Sequence, residues 1–235
     1  MIEVVGVSKS YGRRAALENV SFTLEAGERV ALLGHNGAGK STLLKLIAGQ
    51  LRASAGTLRV AGHDVSIAPD LARAALGYVP EEPATWDYLT AREMVEFVVA
   101  VRGRGDVEAA LALTGLGNDA DRLIREYSQG MRRKVAIACA LVAEPSVLVF
   151  DEALNGLDPP AALAIADHVS GLAARGTTVL TCTHVVDLVP RVADRVIVMR
   201  AGRVQLDSAV ADIGREGLVA LFTASPPAGS ATSAG

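Results

Sequence analysis

The run A-L-L-G-H-N-G-A-G-K-S-T at positions 31–42 sets Gly34, Gly39, Lys40 and Ser41 at the spacing G-x-x-x-x-G-K-S. Apolar residues at 30–33 precede it, and Leu43, Leu44 and Ile47 follow at helical spacing, so it reads as strand, tight loop and helix. Gly34, Gly37 and Gly39 permit positive φ. Successive backbone N–H groups can then turn inward as an anion nest at a helix N-terminus, where the dipole also favours negative charge. The ligand this suits carries phosphates: Lys40 would reach the β- and γ-phosphates, and the Ser41 hydroxyl would sit on Mg²⁺. With glycine at ~7% of residues, a chance match in a chain of this length arises on the order of once in a hundred, which disfavours an ordinary glycine-rich turn.

Further chemistry is spaced along the chain. The apolar run 147–150 reads as a buried strand that delivers Asp151-Glu152 at its carboxyl end, the end where open α/β sheets bind ligands. Asp151 is placed to hold Mg²⁺, directly or through water, while Glu152 can orient and deprotonate an attacking water. His184 follows a strand at 177–181 and would hydrogen-bond a γ-phosphate. Tyr11, on a loop expected after a strand at 2–7, offers an aromatic face for a nucleotide base. His63 reads as a turn residue and His168 as a surface residue of its helix.

The elements that must position these groups are legible in outline. Strands are expected at 20–24, 57–60 and 76–79, the last ending at the rigid acidic loop Pro80-Glu81-Glu82-Pro83. From Thr90 the period becomes helical. Thr90 and Glu93 form a capping-box pattern, with Met94, Phe97, Val98 and Val101 on one face. Asp106 caps a second helix running to Gly115, and Ser128 opens a third through Leu141. Helices without intervening strands indicate a helical insert in an otherwise alternating chain. In the third helix Arg132, Arg133 and Lys134 crowd the first turn, where the dipole disfavours cations by roughly 0.3–1 kcal/mol each. Either an acidic or phosphorylated group compensates, or the side chains point into water. A helix at 161–172, a hairpin pairing 195–199 with 203–206 and a short helix toward Phe222 complete the pattern; residues 225–235, rich in Ser, Ala, Gly and Pro, are expected to be disordered.

Composition bounds the remainder. The 235 residues suffice for a sizeable core, and a net charge of −3 without a dense basic patch gives no support to nucleic-acid binding. Apolar residues reach 50%, yet every apolar run stops short of the ~18 needed to span a bilayer. The N-terminus lacks the order of a secretory signal, so the chain is expected in the cytosol. Cys139 and Cys182 read as reduced core thiols.

The ordered set of motifs resembles the nucleotide-binding subunit of an ATP-binding cassette (ABC) transporter over nearly the whole chain except the tail. The order is aromatic residue Tyr11, phosphate loop 34–42, glutamine-loop position Glu81, signature Ser128-Gln129-Gly130-Met131, carboxylates Asp151-Glu152, then Asn155-Gly156-Leu157-Asp158-Pro159 and switch residue His184. The resemblance implies a P-loop NTPase core with a mainly parallel sheet, an N-terminal antiparallel β-subdomain and a helical insert carrying the signature. The ATPase domain would span 1–224, with the helical subdomain at about 84–140. It further implies ATP and Mg²⁺ as cofactors. ATP would lie on Tyr11 and on Gly34, Asn36, Gly37, Ala38, Gly39, Lys40, Ser41 and Thr42, with the metal held through Ser41, Asp151 and Glu81.

The family's mechanism needs two cassettes closing head to tail. Ser128 and Gly130 of one would contact the γ-phosphate held by Lys40 of the other; Glu152 would serve as general base, His184 would steady the γ-phosphate, and Asp158 would couple the two sites. The implied partners are a second ABC ATPase subunit, in a homodimer, and a separate transmembrane permease touched by the helical insert and the loop at Glu81. That places the chain peripherally on the cytoplasmic membrane face. Two departures stand out: Glu81 replaces the usual glutamine, and Y-S-Q-G-M replaces L-S-G-G-Q. Both are similar to bacterial single-cassette efflux ATPases and point to export of a drug, antibiotic, lipid or ion. The alternatives are an importer subunit and a non-transport ABC switch protein, the latter usually marked by two cassettes or a long coiled coil that this chain lacks.

Overall fold

The computed structural model describes residues 1–223; the stretch expected to be disordered, 225–235, lies outside the described residues. In chain order the elements are β1 (Ile2–Tyr11), β2 (Arg14–Leu24), β3 (Arg29–Leu33), α1 (Lys40–Ile47), β4 (Ala55–Val60), β5 (His63–Asp64), α2 (Pro69–Ala74), β6 (Leu76–Val79), α3 (Ala91–Arg102), α4 (Val107–Thr114), α5 (Gln129–Leu141), β7 (Val147–Asp151), α6 (Pro159–Ala174), β8 (Thr178–Cys182), α7 (Val189–Val192), β9 (Arg195–Arg200), β10 (Arg203–Ala209) and α8 (Val210–Thr223), which is broken at Gly214.

Two sheets result. An antiparallel sheet has the order β2-β1-β4-β5; a six-stranded sheet has the order β10-β9-β3-β8-β7-β6, parallel except for the β9–β10 hairpin. Every residue of β7 and β8 is buried, as expected of central parallel strands covered on both faces. One core lies between the two sheets around α1, with Leu17, Leu43 and Ile47; another lies against α6 and α8, with Phe150, Ile165 and Leu218. The insert has its own core of Val95, Leu111, Ile124 and Val135.

The insert's first helix is capped as its sequence specifies. Thr90 Oγ1 accepts from the Glu93 N–H at 3.1 Å, and Glu93 Oε2 accepts from the Thr90 N–H at 2.8 Å. Thr90→Ala removes one of these bonds, so a stability loss of about 1 kcal/mol is expected, read as a lower denaturation midpoint in urea with nucleotide affinity unchanged. An unchanged midpoint would show the cap to be energetically idle.

Four expectations need correction. Tyr11 is the last residue of β1, paired with Arg14 across a tight hairpin, and does not sit on a loop; the polar run before it is an exposed part of the antiparallel sheet. His63 pairs with Val60 in β5, the turn being Ala61-Gly62. The apolar stripe of α3 divides: Ala91, Met94 and Val95 are buried, whereas Phe97 and Val101 are 48% and 68% exposed. His168 is half-buried beside a cavity lined by Arg104, Asp106 and Glu144, and burial holds its imidazole below the usual range. Burial also pushes the thiols of Cys139 and Cys182 up to about 12, which keeps both protonated and unreactive.

Candidate functional site

The phosphate loop leaves β3 and enters α1 through Gly39, which has φ 101°. Glycine is required there. A Cβ would lie 2.7 Å from the Ala16 carbonyl oxygen and 2.8 Å from Leu17 Cδ2. At Gly34, with φ 150°, it would lie 2.4 Å from the Met199 carbonyl oxygen. The N-terminus of α1 has no side-chain cap and no acid in its first turn, so its N–H groups and dipole remain available to an anion. Lys40 is 9% exposed and folds back over the loop, its Nζ donating to the carbonyls of Gly34 at 2.6 Å and His35 at 3.3 Å.

Parallel pairing of β3, β8, β7 and β6 brings the four carboxyl ends to one edge of the sheet. A cavity of about 860 Å³ opens there. Its lining includes Tyr11, Gly34, Asn36, Gly37, Ala38, Gly39, Lys40, Ser41, Thr42, Glu81, Glu152 and His184, so most residues singled out in the sequence meet in one place. Arg14, Ala15 and Ala16 also line it, and sequence reasoning missed them; their signal is the hairpin pairing of Arg14 with Tyr11. One face of the Tyr11 ring lies 5.2 Å from Lys9 Nζ. Ser128, Gly130 and Asp158 do not line this cavity, and neither does Asp151, which is buried behind Glu152 at the end of β7.

The acidic end of the site is unevenly solvated. Asp151 is 2% exposed and its Oδ1 has no hydrogen-bond partner among the described residues. Burial, joined by the negative charges of Glu81 and Glu152, pushes its carboxyl above the ordinary carboxylate range; burial and the same Asp151 charge push the Tyr78 hydroxyl up as well. A buried oxygen lacking a partner, within the field of two further carboxylates, is chemistry that fits a hard divalent cation. Among the described residues no three His, Cys, Asp or Glu side chains are close enough to hold a metal alone. Mg²⁺ suits such a site, because it is commonly held by one or two carboxylates plus substrate phosphates and water.

Glu152 sits just past β7 with φ 54°, its N–H donating to the Cys182 carbonyl at 3.0 Å. That left-handed conformation is costly for a residue with a Cβ, and strain of this kind clusters at functional sites. The Glu152 side chain has two neighbours. Asn155 Nδ2 donates to its Oε2 at 3.3 Å, and His184 Nδ1 stands 3.0 Å from the same oxygen. A carboxylate oxygen only accepts, so Nδ1 donates in this contact and does not at the same time accept from Asn155 Nδ2, which stands 3.1 Å away. Asn155 Oδ1 accepts from the Thr183 hydroxyl at 3.3 Å, tying the loop after β7 to the loop after β8.

Helix α5 starts at Ser128, whose Oγ accepts from the Met131 N–H at 3.3 Å. Ser128 is exposed, and the first turn of α5 holds no acid. The three cations that follow do not point into water. Arg132 pairs with Asp87 and Thr85; Lys134 pairs with Asp158 at 2.7 Å, which holds that carboxyl below its usual range, aided by the Ala161 N–H. Arg133 reaches two backbone carbonyls, those of Asn155 and Glu81.

Known proteins share this arrangement. The family model described as ABC transporter matches residues 17–155. The chain is 37% identical over 212 residues to Nod factor export ATP-binding protein I of Rhizobium meliloti, covering 86% of this chain and 62% of that protein. It is likewise 37% identical over 209 residues to the daunorubicin/doxorubicin resistance ATP-binding protein DrrA of Streptomyces peucetius, covering 86% and 63%. The chain thus spans less than two thirds of the length of these relatives. Among solved structures, an ATP binding subunit of an ABC transporter superposes with a TM-score of 0.85 at 32% identity, covering 96% of this chain and 95% of that one. A dimeric, post-hydrolysis ATP-binding cassette bound to ADP and Pi gives 0.82 at 25% identity, covering 89% and 99%. With its motifs gathered at one sheet edge and its family model matched across the phosphate loop, signature and acidic pair, the chain belongs to the ABC transporter family.

Proposed function

We propose that this chain is the ATP-hydrolysing subunit of an ABC exporter, working as a head-to-tail homodimer beneath a separate membrane permease. The observation that carries the reading is the composition of the cavity. It holds the phosphate loop, the acids Glu81 and Glu152 and a switch histidine, yet Ser128 and Gly130 lie outside its lining. Those two residues sit at an exposed helix start whose dipole favours an anion, a feature that suits the γ-phosphate of a second copy.

In this reading the phosphate-loop N–H groups and Lys40 bind the β- and γ-phosphates. Tyr11 and Arg14 flank the base end. Mg²⁺, held by Ser41 and Asp151 with Glu81 near, supplies charge neutralisation on the phosphates. Glu152 takes a proton from the attacking water, and His184 holds the γ-phosphate. Asp158, already fixed by Lys134, sits where it can report the α5 position across the dimer. The ATPase domain is assigned to residues 1–224, with the helical subdomain at about 84–140.

Residues 78–101 carry the surface proposed for the permease. A groove of about 350 Å³ is lined by Tyr78, Pro80, Phe97, Val101 and Ala140, and Trp86 meets the Phe97 ring edge-on at 4.9 Å. Pro80 precedes Glu81, so a short permease helix in the groove would press directly on the loop that lines the nucleotide cavity. Among the described residues no helix is long and apolar enough to cross a membrane, in keeping with a peripheral position on the cytoplasmic face. The export direction rests on the two export and resistance relatives.

The test is to tag the chain, solubilise membranes of its native cell in mild detergent and identify what co-purifies. A polytopic membrane protein in stoichiometric amount is the expected result. Recovery of the chain with ribosomal or chromosomal proteins, or wholly alone in the soluble fraction, would overturn the transporter reading while leaving the ATPase site to be assayed directly.

A further inference from the structure

We propose that Arg133 is a positioning residue for hydrolysis: by clamping the Asn155 loop to helix α5 and to the Glu81 loop, it sets the placement of Glu152 against His184. This rests on the ATPase reading above and adds to it a route by which movement of α5, or pressure on the Glu81 loop, reaches the reacting groups.

The geometry is a chain of five contacts. One terminal nitrogen of the Arg133 guanidinium donates to the Asn155 carbonyl, and the other donates to the Glu81 carbonyl at 2.9 Å. Its Nε is buried and has no partner among the described residues, so these two bonds are what hold the group. Gly156 leaves the space for it: a Cβ there would stand 3.0 Å from Arg133 Nη1. The Asn155 backbone is therefore fixed from the α5 side, and its side chain is fixed from the β8 side by Thr183. Between these anchors the Asn155 amide donates to Glu152 Oε2 at 3.3 Å and stands 3.1 Å from His184 Nδ1. Arg133 itself does not line the nucleotide cavity, so its effect must pass through Asn155 and the Glu81 loop.

Arg133 also differs from its neighbours in partner chemistry. Arg132 and Lys134 each find a carboxylate, a point charge that either cation could satisfy. Arg133 spans two carbonyls on separate loops with its two terminal nitrogens, held apart in the rigid fork of a guanidinium; a lysine carries all its N–H donors on one atom and does not reproduce the two nitrogen positions. Since misplacement of reacting groups by about 1 Å costs up to about 10²-fold in rate, a loosened clamp shows in kcat and not in nucleotide affinity.

The experiment compares steady-state ATP hydrolysis by the full chain and by Arg133→Gln, Arg133→Lys, Asn155→Ala and the Arg133→Gln/Asn155→Ala double variant. Affinity for a fluorescent ATP analogue and the thermal midpoint are measured on each. The expected result is a kcat lowered about tenfold or more by both Arg133 variants, with KM and analogue affinity within about twofold of wild type. The double variant should fall no more than about twofold below the worse single one, because both substitutions break the same chain of contacts. Arg132→Gln, a charge removal on the same helix turn, should instead multiply with Asn155→Ala. Hydrolysis by Arg133→Gln within about twofold of wild type, full rescue by Arg133→Lys, or independent multiplication with Asn155→Ala would each overturn the proposal. If Arg133→Gln does not fold, Arg133→Lys, which keeps the charge and the stem, carries the decision. Wild-type chain that binds the analogue but never hydrolyses ATP overturns the ATPase reading itself, an outcome distinct from active wild type with an indifferent Arg133.

Discussion

Glu152→Gln is expected to lower ATP turnover by on the order of 10²–10⁴-fold while leaving ATP binding intact. Glutamine has the volume of glutamate and keeps an oxygen that can accept from Asn155 and His184, but it cannot take the proton of an attacking water. The phosphate loop that binds the nucleotide is held by separate contacts, among them Lys40 to the Gly34 and His35 carbonyls, and none of these passes through Glu152. Binding and chemistry therefore separate in this variant. With ATP bound and not cleaved, the dimer should persist, visible as a shift to twice the mass in size-exclusion chromatography with ATP and Mg²⁺ and reversed when nucleotide is removed. Hydrolysis near the wild-type rate would remove Glu152 from the base role and direct attention to Glu81, the other acid of the cavity lining.

Local signals in the sequence were enough to place most of this site because the chemistry sits on short, self-contained motifs. The phosphate loop specifies its own turn through glycine spacing. Strands β7 and β8 read as apolar runs because central parallel strands are buried on both faces, and their next residues are then necessarily at the ligand-binding edge. The caps at Thr90, Asp106 and Ser128 were equally legible, since each uses a side chain within three residues of the N–H it satisfies.

What the sequence left open depends on partners far along the chain. The odds between a compensated and a solvated cation cluster on α5 turn on Asp87 and Asp158, and on the Glu81 and Asn155 carbonyls, none of which shares a local pattern with the cluster. The α3 stripe was visible, but periodicity reports that a face is apolar and not what covers it; Ala91 and Val95 meet the insert's core while Phe97 and Val101 line an open groove. The sequence around Tyr11 reads as loop because S-K-S-Y lacks strand-like hydrophobic alternation. In the fold, hydrogen bonding to β2 and β4 holds most of that segment in the sheet, and its side chains need not be apolar. Arg14 enters the cavity through the same hairpin register, which no local motif encodes.

His184→Ala is expected to cost about 10²-fold or more in kcat, the magnitude for removing one oriented donor from a transition state. The attribution is clean because the side chain is 64% exposed, which leaves alanine little packing to forfeit. Thermal stability and affinity for an ATP analogue should therefore stay at wild-type values, and a variant that lost stability instead would point to a structural role. The geometry also predicts which half of the ring matters. Nδ1 faces Glu152 Oε2 at 3.0 Å, so it can orient the base, while Nε2, which also donates when the ring is the imidazolium, is the nitrogen that would meet a γ-phosphate. His184→Asn offers a side-chain amide near the Nδ1 position and no group where Nε2 would stand. If phosphate contact dominates, Asn behaves as Ala does; if the essential task is to orient Glu152, Asn recovers much of the rate. Either of those outcomes keeps His184 in the reaction, whereas wild-type turnover by the alanine variant would leave it a bystander at the end of β8.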